Sequence, residues 1–129
     1  MGQRLQQRKV EIDLILSSPA KRAKETAKTI AEQISLESRK IQWLESVYAA
    51  GSQTLLHLIQ KLDDTLHNVM LVGHNPGMTT LAEHLTGVEI DNIPTCGIVA
   101  VDFEVASWKD IGAVKGKLAF YDYPKKSQA

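Results

Sequence analysis

The segment Val69-Met70-Leu71-Val72-Gly73-His74-Asn75-Pro76-Gly77 joins four apolar residues directly to Gly, His, Asn, Pro and Gly. A short apolar run with turn residues at its end reads as a strand buried on both faces. Asn75 can cap a following helix through its side chain, and Pro76 suits the first helical position, where its missing N–H is not needed. The strand therefore stops and a helix starts within about three residues, with His74 in the gap. In open α/β sheets, ligands bind beyond the carboxyl ends of the strands. The free N–H groups and dipole of the next helix favour an anion there.

A second junction of the same design lies upstream. Ile12-Asp13-Leu14-Ile15-Leu16 reads as a short buried strand, ended by Ser17-Ser18-Pro19. Ser18 is the expected N-cap and Pro19 the first residue of a helix running to about Ser35. Its inner stripe is alanine-rich: Ala20, Ala23, Ala27, Ile30, Ala31 and Ile34. Such a face can lie close to a sheet. Lys21, Lys24, Glu25, Lys28 and Glu32 fall outward. Arg22 lies in the first turn, and helical side chains lean toward the N-terminus, so its guanidinium can reach over the strand end.

The remaining chain continues the alternation. Met1 to Lys9 reads as the last turns of a helix. Arg39 to Leu44 is an expected strand with Trp43 near its end, followed by a loop from Glu45 to Gly51. Ser52 is expected to cap a helix to about Asp63, and a further helix runs from Pro76 to Thr86, closed by Gly87. Ile98 to Val105 and Lys117 to Tyr123 have β character, and residues 124–129 form a polar tail. The order implies one domain over residues 1–129, a layered α/β/α fold with a mainly parallel sheet and helices on both faces.

Bulk properties narrow the function. In 129 residues, 15 basic and 15 acidic side chains cancel, so no nucleic-acid footprint or membrane-surface patch is expected. The lone Cys96 excludes an internal disulfide and fits a reducing compartment. No apolar run approaches the roughly 18 residues of a membrane span, and no signal peptide opens the chain, so a cytoplasmic location is expected. Metal-ligand spacings and nucleotide-binding glycine loops are absent, so neither metal nor cofactor is implied. Asp63-Asp64 reads as solvated polarity, and His57, His67 and His84 as surface histidines. Ser17 and Ser18 read as caps.

The chemistry rests on the two junctions. Arginine offers a planar fork of donors that matches phosphate oxygens two at a time. Histidine can donate to a phosphoryl oxygen or shuttle a proton to a leaving group. If the two strands are neighbours, Arg22 and His74 converge on one phosphate.

These motifs resemble the histidine phosphatase superfamily, the phosphoglycerate mutase-like fold. Leu16-Ser17-Ser18-Pro19-Ala20-Lys21-Arg22-Ala23-Lys24-Glu25-Thr26-Ala27 resembles its Ser-Pro-x-x-Arg-Ala-x-x-Thr-Ala segment, and Val72-Gly73-His74-Asn75-Pro76 its second histidine motif. The short length, the Asn-Pro after the histidine and the ending Tyr121-Asp122-Tyr123-Pro124 resemble the small SixA-like phosphohistidine phosphatase branch. The resemblance implies a phosphoric monoester hydrolase acting on a phosphorylated protein or a small phosphomonoester. It would work through a phosphohistidine intermediate. Arg22 and His74 would be catalytic and, with Asn75, phosphate-binding. Glu45 is a candidate acid, though a surface carboxylate is the simpler reading. The nucleophilic Arg-His-Gly or Arg-His-Ala motif of the family has no counterpart here. It is expected upstream of Met1, on a first strand that would lie beside the His74 strand. Two rivals follow: a phosphate- or phosphoprotein-binding module on the same fold, and an interaction domain in which Arg22 and His74 lie far apart.

Overall fold

Leu14–Ser17 forms strand β1, and all four residues are buried. It sits at the centre of a parallel three-stranded sheet, between β2 (Ile41–Trp43) and β3 (Val69–Val72). A strand paired on both edges and covered on both faces has no use for polar alternation, which is why β1 reads Leu-Ile-Leu-Ser. The computed structural model describes residues 11–48, 51–94 and 97–123. The expectations for Met1 to Lys9, Cys96 and the polar tail lie outside these residues.

Helices cover both faces of the sheet. On one face, α1 (Lys21–Gln33) lays Ala27 and Ala31 against Ile15 and Ile41, with Met70 and Val72 at the margin. On the other, α2 (Ser52–Gln60) and α3 (Gly77–Thr86) pack Leu55, Leu56, Leu81 and Leu85 around Val47 and Ile111, with Leu71 alongside. Met70 and Leu71 serve opposite cores because successive strand residues point to opposite faces. The fold is the expected α/β layering. Strands β4 (Ile98–Asp102) and β5 (Lys117–Asp122) form a separate antiparallel pair with an irregularity between Ala100 and Val101.

Several boundaries differ from the sequence reading, each for a local reason. Helix α1 starts at Lys21 with an extended Ala20 as N-cap, because Ser18 Oγ accepts the Ala20 N–H at 3.1 Å and tightens a turn before the helix. It ends at Gln33, since Ser35 takes a left-handed φ of 59°. Residues Ser38–Lys40 form a 3₁₀ turn, which delays β2 to Ile41. Ser52 is the first helical residue of α2, with Gly51 as N-cap, and the helix closes at Gln60 through i−3 bonds from Lys61 and Leu62. Pro76 is the N-cap of α3 rather than its first residue. Gly87 closes α3 in the left-handed region at φ 72°, as expected of its glycine. β4 stops at Asp102, short of Val105, and β5 at Asp122, one residue short of Tyr123.

The larger correction concerns β3. Val69, Met70, Leu71 and Val72 are each only partly buried, not enclosed on both faces. Among the described residues β3 pairs with β1 alone, and its other edge faces a groove of about 1460 Å³ with β4 on the far wall. Asp64 is also more than solvated polarity. Its carboxylate accepts the Ser107 hydroxyl at 3.0 Å and the Trp108 N–H at 3.1 Å, while Trp108 Nε1 donates to the Leu66 carbonyl at 2.9 Å. This fastens the connection between β4 and β5 to the start of β3. No helix among the described residues is long and apolar enough to cross a membrane.

Candidate functional site

Parallel pairing sets the ends of β1 and β3 level, with Ser17 opposite Val72. The Ser18 N–H extends the ladder by one bond to the Val72 carbonyl at 3.0 Å. The two junctions therefore leave the sheet side by side. Ser17 and Ser18 are both fully buried, and Ser18 Oγ lies 2.8 Å from His74 Nε2. This contact spans 56 residues of sequence and joins the two motifs directly.

Four residues beyond Ser18, the exposed Arg22 occupies the first turn of α1. Arg22, Gly73, His74 and Asn75 all line the groove beside β3. The groove runs along the whole of β3, from Asn68 at its start to His74 beyond its carboxyl end, where open α/β sheets take their ligands. Gly73 allows the close turn into His74. A Cβ there would lie 3.0 Å from Met78 Sδ and 3.2 Å from Val47 Cγ1.

Asn75 is engaged in the scaffold. Its carboxamide oxygen accepts the Thr79 N–H at 3.2 Å and the Thr79 hydroxyl at 2.7 Å, and its nitrogen donates to the Ile93 carbonyl at 2.9 Å. Thr79 Oγ1 in turn accepts the Ile93 N–H at 3.0 Å. The side chain caps the first turn of α3, as its residue type suggests, and ties the loop before β4 to it. Glu45 opens the 3₁₀ turn Glu45–Val47 after β2. It is exposed and is not among the side chains that line the groove. His57 and His84 are exposed in the last turns of α2 and α3, and His67 is exposed before β3. No cluster among the described residues could hold a metal ion.

Two neighbours of His74 escaped the sequence reading. Ser18 read as a helix cap, and its hydroxyl instead reaches the imidazole. Tyr48 lay in an unremarked loop, yet its ring stands edge-on to His74 at a centroid separation of 5.4 Å. Neither partnership has a signal in residue spacing, because both depend on which strands become neighbours.

Residues 1–46 match the family model of the histidine phosphatase superfamily (branch 1), a span that includes Arg22. The fold superposes on the protein assigned as phosphohistidine phosphatase SixA from Agrobacterium tumefaciens with a TM-score of 0.79 and 27% identity, over 95% of this chain and 75% of that one. The chain has the fold of the histidine phosphatase superfamily, and its first 46 residues match that family's model. A second solved structure of this fold, the protein histidine phosphatase SixA complexed with tungstate, has a TM-score of 0.76 at 22% identity, covering 93% of this chain and 74% of that one. An uncharacterized chloroplastic protein of Arabidopsis thaliana is 32% identical over 111 residues, which is 80% of this chain. The chain spans 50% of that relative's length.

Proposed function

We propose that this chain supplies the phosphate-holding part of a phosphoric monoester hydrolase that acts on protein phosphohistidine. The observation that carries the reading is the Ser18–His74 contact, which brings the His74 junction to within four residues of Arg22. In the proposed reaction a histidine on a segment upstream of Met1 attacks phosphorus. The phosphorus–nitrogen bond of the substrate breaks, and its imidazole leaves with a proton. Water then cleaves the new phosphohistidine, releasing phosphate and the free nucleophile. Arg22 holds two phosphoryl oxygens, and His74 donates to the oxygen that gains charge. Phosphoryl transfer asks mainly for such positioning and positive donors. A cytoplasmic phosphoprotein is the substrate class, and a small phosphomonoester would react by the same two steps, with its P–O bond breaking and a protonated alcohol leaving in place of the imidazole. The relative that carries tungstate, a tetrahedral oxyanion, supports an oxyanion pocket on this fold.

The test is hydrolysis of a chromogenic phosphomonoester by the protein that includes the upstream segment. Arg22→Ala and His74→Ala are each expected to lower the rate at least about tenfold, about 1.4 kcal/mol of barrier. Unchanged rates in both variants would end the reading. The absence of an Arg-His-Gly or Arg-His-Ala motif from these 129 residues favours a second reading, a phosphate-binding module. Calorimetry separates the two: binding of inorganic phosphate with no turnover by the longer protein supports the module, and turnover removes it.

A further inference from the structure

The hydrogen-bond inventory around Ser18 determines more than its place in the turn. Its hydroxyl has one hydrogen and two lone pairs. One lone pair accepts the Ala20 N–H at 3.1 Å. The other bond is the 2.8 Å contact with His74 Nε2. Ser18 is fully buried, so water does not complete the set. If Nε2 carried the ring proton, it would take the second lone pair, and the Ser18 hydroxyl hydrogen would have no acceptor among the described residues. A buried donor without an acceptor is costly. If Nε2 is unprotonated, Ser18 donates to it, and the hydroxyl is satisfied both as donor and as acceptor. The ring proton of neutral His74 then sits on Nδ1.

We propose that Ser18 is a positioning residue that holds neutral His74 as the Nδ1–H tautomer, so that the imidazole offers the groove an N–H donor instead of a lone pair. The functional weight of this assignment rests on the phosphate reading above, because an oxyanion accepts hydrogen bonds and repels a lone pair. Tyr48 stands edge-on to the same ring and restricts its rotation. Ser18 thereby links the two family motifs: the strand end that introduces Arg22 also sets the protonation pattern of His74. A cap residue on the α1 helix alone would have no such effect, and the N-cap position belongs to Ala20.

The experiment is two-bond ¹H–¹⁵N correlation NMR on the ¹⁵N-labelled chain at about pH 8.5, where an ordinary imidazole is neutral. The expected result is a protonated, pyrrole-type Nδ1 and a pyridine-type Nε2 for His74. A pyrrole-type Nε2 overturns the proposal without any variant. In Ser18→Ala the expected result is loss of the single tautomer, and Ser18→Thr, which keeps the hydroxyl, restores it. A Ser18→Ala spectrum with the wild-type tautomer also overturns the proposal. Titration with inorganic phosphate is read separately, and Ser18→Ala is expected to weaken binding about tenfold. Phosphate that binds beside an Nε2–H ring defeats the tautomer assignment alone. An Nδ1–H ring that takes no phosphate upholds the assignment and defeats the phosphate reading.

Discussion

Tyr48 packs its ring edge-on against His74, with centroids 5.4 Å apart and planes at 79°. The arrangement aims the positive edge of one ring at the negative face of the other, which fixes orientation at low energetic cost. Tyr48 is 58% exposed, so its contribution to stability is small. If the proposed function holds, Tyr48→Ala is expected to lower turnover in the assay proposed above several-fold, with a stability loss within about 1.5 kcal/mol. Tyr48→Phe is expected to match the wild type, since the ring makes the contact. Steady-state kinetics and urea denaturation of both variants check this, and a Phe variant as slow as the Ala variant contradicts it.

Gly73 makes a related prediction on the backbone side. A Cβ at this position presses on Met78 Sδ and Val47 Cγ1. Val47 is almost wholly buried, so it yields less readily than the flexible thioether. Gly73→Ala is expected to displace the turn into His74 and to reduce turnover more than it reduces stability. A variant with full turnover and lowered Tm would show that the contact matters only for packing.

Asp13 clamps the entry to β3. Its carboxylate Oδ2 accepts the backbone N–H groups of His67 at 2.8 Å and Asn68 at 2.9 Å. These bonds, Asn68 first and then His67, hold its pKa below the ordinary carboxylate value of 3.8, and the charges of His67 and Lys40 add to the effect against the cost of burial. The folded value is lower than the unfolded one. The stabilisation is therefore present above the unfolded pKa and is lost as pH falls through the folded pKa. Asp13→Ala is expected to cost about 1 kcal/mol at neutral pH and to flatten the acid limb of the Tm–pH curve below about pH 4. An acid limb with the wild-type slope would contradict this.

Ala27 is fully buried where α1 meets Ile15 and Ile41. Small residues let the helix lie close to the sheet, and extra methyl groups there have nowhere to go. Ala27→Leu is expected to destabilise the domain by about 1–3 kcal/mol. Denaturant unfolding measures it, and a neutral or stabilising result would mean the interface is looser than its burial implies.

The junction at His74 was legible because its signals are local. Apolar run, turn residues and capping side chain all act within a few positions, so β3, α3 and the scaffold role of Asn75 could be read from Val69 to Gly77. The same holds for β1 and for the alanine face of α1. Helix starts were misplaced by one to two residues where a side chain found a different partner: Ser18 accepts from Ala20 and meets His74, and neither bond is announced by spacing. The depth of β3 was misjudged for a similar reason. Val-Met-Leu-Val records that the residues are apolar, and says nothing about whether a second strand pairs with the far edge.

From the amino-acid order alone came the α/β alternation, the two strand-to-helix junctions and the residues able to meet an anion, because propensity, periodicity and turn chemistry are short-range. Only the tertiary structure decided that β1 and β3 are neighbours, that Ser18 meets His74, and that β4 and β5 stand apart across a groove. Those facts arise from pairing between segments tens of residues apart, where burial and hydrogen-bond satisfaction over the whole sheet select one arrangement from many that the local signals permit.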